Sequence, residues 1–355
     1  MKNFILSFQI GLVFVGSIVG AGLSSGRELT QFFAVYGYKS FLGLFICAAL
    51  YVSIGKMIIF LSIKYKVKSY EEFINLVCPK PIAIFSNIFI TVFLLSSTSI
   101  ILAGSGAVMH QYFGIPKIFG VIFMIVVSII FLFRETKGIF EVNNITVPIL
   151  IIMMVSIFIG YGINNQEQMS FDYITSLPYY KRSYIISALV YAGFNIISII
   201  GIMVPLANEI KRNKILLRGV AIGSAILTVI SIIIVFVMIV NPTYAQQYEI
   251  PILAVAQNIA PWMQIGLLMM IWLEMFSSQV SNIYGLTKTM ETKFQVPYKT
   301  GVLLSIIIAL PLSFVGFTGL VDVLYPIYGV LSLVFVVCVI QFYCKQKISL
   351  TKVYN

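Results

Sequence analysis

Charge is scarce in this chain. Asp, Glu, Lys and Arg make up only 10% of its 355 residues, against about 25% in soluble domains, while 60% are hydrophobic and the mean hydropathy is +1.02. That excludes an ordinary water-soluble domain and indicates a polytopic membrane protein. Histidine is limited to His110, so no histidine-built metal cluster or catalytic dyad is available. The four cysteines, Cys47, Cys78, Cys338 and Cys344, have no CxxC spacing, which predicts neither a disulfide nor a metal–thiolate site. With no HExxH, no nucleophile–His pair and no facing aspartates, the chain is not expected to be an enzyme or to carry an organic cofactor.

Apolar runs long enough to span a bilayer occur at about 4–36, 40–63, 82–109, 116–133, 143–163, 183–208, 216–240, 262–287, 300–317 and 322–343, which is ten. Lys2 before an apolar run mimics a signal peptide, but Arg27, Glu28 and further apolar sequence follow, so the segment is expected to remain. Seventeen Lys and Arg fall in one set of alternating loops and ends. Only four, Lys39, Lys117, Lys181 and Arg182, fall in the other set. The positive-inside rule then puts both termini in the cytoplasm of a multi-pass cell-membrane protein. It also accounts for the net charge of +11 with the lipid bilayer as partner and no nucleic acid.

The first run is too long. As one helix, residues 4–36 would measure about 50 Å, beyond the roughly 30 Å hydrocarbon core. Its middle, GSIVGAGLSSGRE, carries Gly16, Gly20, Gly22 and Gly26 with Ser17, Ser24 and Ser25 between them. Two readings are open: a broken helix whose freed backbone groups face a ligand, or a glycine-rich helix that packs closely on a neighbour.

An internal repeat favours the first. Adding 181 to the residue number takes Ser17-Ile18-Val19-Gly20 and Glu28 onto Ser198-Ile199-Ile200-Gly201 and Glu209, and Ser96-Ser97 onto Ser277-Ser278. The chain then divides into a first five-helix repeat at 1–163, a second, inverted one at 164–344 and a short cytoplasmic tail at 345–355. Each repeat opens with a candidate break, the second within YAGFNIISIIG around Tyr191 to Asn195.

The expected fold is therefore all-α: ten transmembrane helices as a 5+5 inverted repeat with helices 1 and 6 broken. This resembles the LeuT fold of the amino acid–polyamine–organocation superfamily. GSIVGAG resembles the helix 1 motif of amino acid transporters, and YAGFN followed by NEIKRNK their helix 6 pattern. Within the superfamily, GAGLSSGRELTQFF resembles the YkvI-like bacterial membrane proteins, whose usual form has Gln where this chain has Arg27. The architecture covers nearly the whole chain; the specific motifs cover helices 1 and 6.

The resemblance implies a secondary active transporter, a symporter of a small zwitterionic or cationic solute such as an amino acid or related amine, in a bacterial cytoplasmic membrane. The N–H groups of Ala21 and Gly22 would receive a carboxylate. The Ile18 carbonyl and helix 6 carbonyls from Tyr191 through Ala192 and Gly193 to Phe194 would receive an amino group. Ser17, Gly20, Ser96, Ser97, Tyr191, Phe194, Asn195 and Ser198 would shape the remaining pocket. Sodium, the expected coupling ion, would take the carbonyls of Gly16 and Val19 and the hydroxyls of Ser277 and Ser278. Leu23 stands where a second sodium site needs Asn, so one ion is expected.

Glu274 departs from the sodium-coupled pattern, which has a small residue there. A mid-membrane carboxyl is costly and usually functional, so Glu274 is expected to take part in coupling, either as a negative partner for sodium or a cationic substrate or as a proton carrier. Arg27 and Asp322 form a candidate outer gate. A proton-coupled transporter and a non-transporting ligand sensor are the alternative functions. EIPILAVAQNI, residues 249–259, reads as a short amphipathic lid helix in an outer loop.

Overall fold

The computed structural model describes residues 2–177, 183–248, 250–313 and 317–353, with side chains at all of these except Ala21, Gln111, Ala245, Gln246, 317–326 and 347–353. The described residues form α-helices and short 3-10 segments, with no strand among them.

The first apolar run is broken twice. Helix α1 (Lys2–Ile18) stops before Val19 and Gly20, one turn of helix α2 (Ala21–Ser24) follows, and helix α3 (Arg27–Phe32) starts after Gly26. Gly26 has φ +80°, a left-handed conformation that a side chain would strain, and this redirects α3 relative to α2. Close packing by glycine does occur on α1, but at Gly11. A Cβ there would stand 3.1 Å from the Gly219 carbonyl and the Gly223 nitrogen of helix α11 (Asn213–Val240), a small-xxx-small contact.

Between them run α4 (Ser40–Tyr65), α5 (Tyr70–Val77), α6 (Lys80–Phe113), α7 (Lys117–Leu132), α8 (Glu135–Asn164), α9 (Phe171–Ser176) and α10 (Tyr184–Ile210). After α11 come α12 (Tyr244–Gln247), α13 (Pro251–Ile259), α14 (Pro261–Phe294), α15 (Tyr298–Leu312) and α16 (Phe317–Val353). Among the described residues, seven helical segments are long and apolar enough to cross a membrane, and α1, α7 and α15 are shorter apolar helices.

Helix α10 corrects an expectation: it is continuous from Tyr184 to Ile210, with no break at Tyr191 to Asn195. Its glycines are packing glycines. A Cβ on Gly193 would overlap the Ser332 hydroxyl of α16, and one on Gly201 would stand 3.3 Å from Gly285 Cα of α14. The carbonyls of Tyr191, Ala192, Gly193 and Phe194 thus stay within a helical ladder, and Phe194 O also accepts from Ser198 Oγ at 3.4 Å.

Two helix groups face each other. α1, α4, α10 and α11 pack together, α6, α7, α14 and α15 form the second group, and α1 meets α14 and α8 where the groups join. The N-terminal end of α1 and the α10–α11 turn share one face, where Arg212 donates to Asn3 Oδ1 at 3.4 Å. On the opposite face, α13 is sunk into the protein with Pro251 to Ala256 buried, and its Ile252 N–H donates to Ser25 O at 3.2 Å.

Candidate functional site

The end of α1 is held by α14. Ser278 Oγ lies 2.7 Å from Val19 O and 3.4 Å from Gly16 O, and Ser277 Oγ lies 3.1 Å from Gly16 O. All four residues read from the sequence as an ion site therefore meet. A fifth oxygen joins them from α8: Asn143 Oδ1, 2.8 Å from Ser277 Oγ. The Asn143 amide is held in that orientation because its Nδ2 donates to Ile139 O at 2.8 Å.

Two hydroxyls supply only two protons to this group of oxygens. The surplus of lone pairs suits a hard cation, which takes oxygen ligands. Gly16 is required for the convergence, since a Cβ there would overlap both Asn143 Oδ1 and Ser277 Oγ. One helical turn from Ser277 and Ser278 lies Glu274, completely buried, with neither carboxyl oxygen hydrogen-bonded among the described residues. Antiparallel α8 carries Thr146 one turn from Asn143, and the Thr146 hydroxyl also lacks a partner.

Beside the ion-ligand cluster is a small cavity of about 30 Å³. Ser17, Ile18 and Gly20 of the α1 break line it, with Ser97, Phe194, Ser198, Ser278 and Asn282. Ser97 Oγ accepts from Asn282 Nδ2 at 2.9 Å, while Ser17 Oγ donates to Val13 O at 2.6 Å and approaches Ser281 Oγ at 3.4 Å. Gly22 lies one position into α2, where the first N–H groups of a helix have no partner within it. Ala21 shares that backbone position, its side chain being outside those described.

Other expected pocket residues point elsewhere. Tyr191 packs on Phe32 and Phe33, with ring centroids 5.2 and 5.0 Å away, and Asn195 Nδ2 donates to Tyr51 OH of α4 at 2.7 Å. Ser96 accepts from Tyr328 OH at 3.4 Å, and Ala192 and Gly193 are buried in helix packing. Arg27 begins α3 half-buried, whereas the side chain of its proposed gate partner Asp322 lies outside the described residues.

Sequence reasoning missed two groups. Asn143 offered little signal beyond a polar pair, Asn143-Asn144, within an apolar run. Glu28 read as a neighbour of Arg27, yet it is 4% exposed and lines the cavity. Its place on the buried face with Leu29 and Phe32 was readable from their helical spacing.

No family model matches the chain. It is 29% identical over 328 residues to the uncharacterized membrane protein YkvI of Bacillus subtilis (strain 168), covering 92% of this chain and 93% of that one. It is 24% identical over 332 residues to the YyaD protein of the same organism, covering 93% and 95%. Among solved structures it superposes on Mhp1, a nucleobase-cation-symport-1 family transporter in a closed conformation with bromovinylhydantoin bound, at TM-score 0.67 and 14% identity, covering 92% of this chain and 74% of that one. MhsT in complex with L-phenylalanine gives TM-score 0.68 at 16% identity, covering 94% and 87%. The Eremococcus coleocola manganese transporter gives 0.62 at 14%, covering 96% and 78%. The chain has the LeuT fold. Mhp1 and the Eremococcus coleocola protein are membrane transporters.

Proposed function

We propose that the chain is a secondary active transporter that carries a small amine-bearing solute, an amino acid or related amine, together with sodium. The observation that carries this reading is the meeting of five oxygens from α1, α8 and α14 at a helix break, directly beside a small cavity that shares Ser278 with them. An ion there ties α1 of one helix group to α14 of the other. Sodium occupancy would thus bias how the two groups sit, which is what coupling requires.

In this proposal ten helices cross the membrane as two inverted sets of five, with both termini in the cytoplasm of a bacterial cell. Rocking of α1, α4, α10 and α11 against α6, α7, α14 and α15 alternates access. The buried lid α13 closes one face. The face carrying the N-terminus has a cavity of about 400 Å³ between Lys68, Pro205, Glu209 and Lys288. A substrate carboxylate would sit at the N–H groups of Ala21 and Gly22, with Ser97, Phe194 and Ser198 around the rest of the solute.

A second reading, proton coupling, is favoured by one observation: both oxygens of the buried Glu274 carboxyl lack hydrogen-bond partners among the described residues. Uptake of labelled amino acids and amines into proteoliposomes, driven in turn by a sodium or a proton gradient, separates the two. The proposal expects accumulation under the sodium gradient and counterflow without any gradient. Binding with no counterflow would identify a sensor instead.

A further inference from the structure

We propose that Glu28 is the group that binds the substrate's ammonium, and that the site therefore selects cationic amines or amino acids over their amine-free analogues. This rests on the reading of the cavity as the transporter's substrate site. The usual alternative, backbone carbonyls of a broken helix 6, does not exist in this chain. α10 runs unbroken through Tyr191 to Phe194, and those carbonyls accept bonds from the next helical turn. An ammonium entering the cavity needs acceptors from some other source, and burying it without them costs several kcal/mol.

Glu28 supplies them. Its side chain is 96% removed from solvent, it lines the cavity, and its Oε1 has no hydrogen-bond partner among the described residues. The local backbone explains the placement. Gly26, at φ +80°, turns the chain between α2 and α3, so that the face of α3 bearing Glu28, Leu29 and Phe32 is buried. Arg27, next in sequence, is half-buried at the start of α3. Tyr191, packed on Phe32 and Phe33, sets its phenol beside the Glu28 carboxyl.

Charge balance points the same way. Among the described residues the buried ionisable carboxyls are Glu28 and Glu274, and no Lys, Arg or His is buried. One carboxyl flanks the cavity and the other lies a turn from the ion-ligand cluster. One sodium and one ammonium would match them; an anionic or neutral solute would leave one charge without a counterpart. At about 30 Å³ the cavity holds on the order of one or two waters, so the amine enters when the helix groups part.

The test uses the full-length protein purified in detergent with sodium present. Thermal unfolding is followed with matched pairs: leucine and isocaproate, phenethylamine and phenylethanol, putrescine and butanediol. At least one amine and none of its amine-free partners should raise the midpoint. Glu28→Gln should weaken that amine by about 10- to 100-fold, the range for a lost charged hydrogen bond, while keeping the shift produced by sodium alone. That retained shift also reports that the variant is folded. As a check that needs no variant, the same amine should slow carbodiimide labelling of Glu28 in the wild type, read by peptide mass spectrometry. Equal amine affinity in Glu28→Gln, stabilisation by amine-free compounds alone, no stabilisation by any amine, or labelling unaffected by a bound amine overturns the assignment. Amine binding without counterflow would instead remove the transport reading and leave the Glu28 contact standing.

Discussion

Replacing Gly16 with alanine should destroy the ion-ligand cluster, and the size of the effect follows from its geometry. The new Cβ would overlap Asn143 Oδ1 and Ser277 Oγ, which now lie 2.8 Å apart. One of these side chains must leave. That strands a buried polar group at about 1–3 kcal/mol and adds overpacking of about 1–3 kcal/mol, so the fold should lose roughly 2–6 kcal/mol. The displaced residue also takes away an ion ligand. Sodium at 100 times its Kd stabilises a one-site protein by about 2.7 kcal/mol, and the variant should lose this gain as well. The assay is thermal unfolding in detergent, in sodium chloride and in potassium chloride of equal ionic strength. Gly20→Ala is the control, because its Cβ would meet Ser278 Oγ at an ordinary 3.5 Å. It should keep the sodium response. A Gly16→Ala protein with the full sodium-dependent shift would refute the reasoning, as would a wild type with none.

Ser278→Ala removes the hydroxyl at 2.7 Å from Val19 O and should weaken sodium binding at least about tenfold, or 1.4 kcal/mol, with the unfolding midpoint in potassium little changed. Glu274→Gln should abolish or alter ion-dependent uptake in proteoliposomes; uptake retained in full would remove Glu274 from coupling. Gly201→Val should wedge α10 from α14, where a Cβ already stands 3.3 Å from Gly285 Cα, and lower stability by about 1–3 kcal/mol, with no specific loss of sodium response.

Much of this arrangement was legible in the sequence. The over-long first run with four glycines located a real break at Val19-Gly20, and the resemblance to sodium-coupled transporters of this fold pointed to Ser277 and Ser278 as partners of Gly16 and Val19. Composition misled at α10. Glycine that opens a helix and glycine that admits a neighbour look alike in sequence, and Gly193 and Gly201 serve Ser332 and Gly285. Tyr191 and Asn195 then turned toward α3 and α4 instead of the cavity, since an intact helix fixes which face each residue occupies. Asn143 was invisible because nothing in an apolar run tells which of two adjacent asparagines faces the core. Glu28 was overlooked beside Arg27, the gate candidate, although its helical spacing with Phe32 puts it on the buried face of α3.

The central claim is that one sodium ion and an amine share this site. Equilibrium binding of radioactive sodium to the purified protein tests it most directly, with and without an amine that stabilises the protein. The account predicts one saturable site per chain, undisturbed by equal potassium, lost in Gly16→Ala and tightened by the amine, since coupling between two ligands is reciprocal. No saturable sodium binding, or binding that neither Gly16→Ala nor the amine alters, would contradict it.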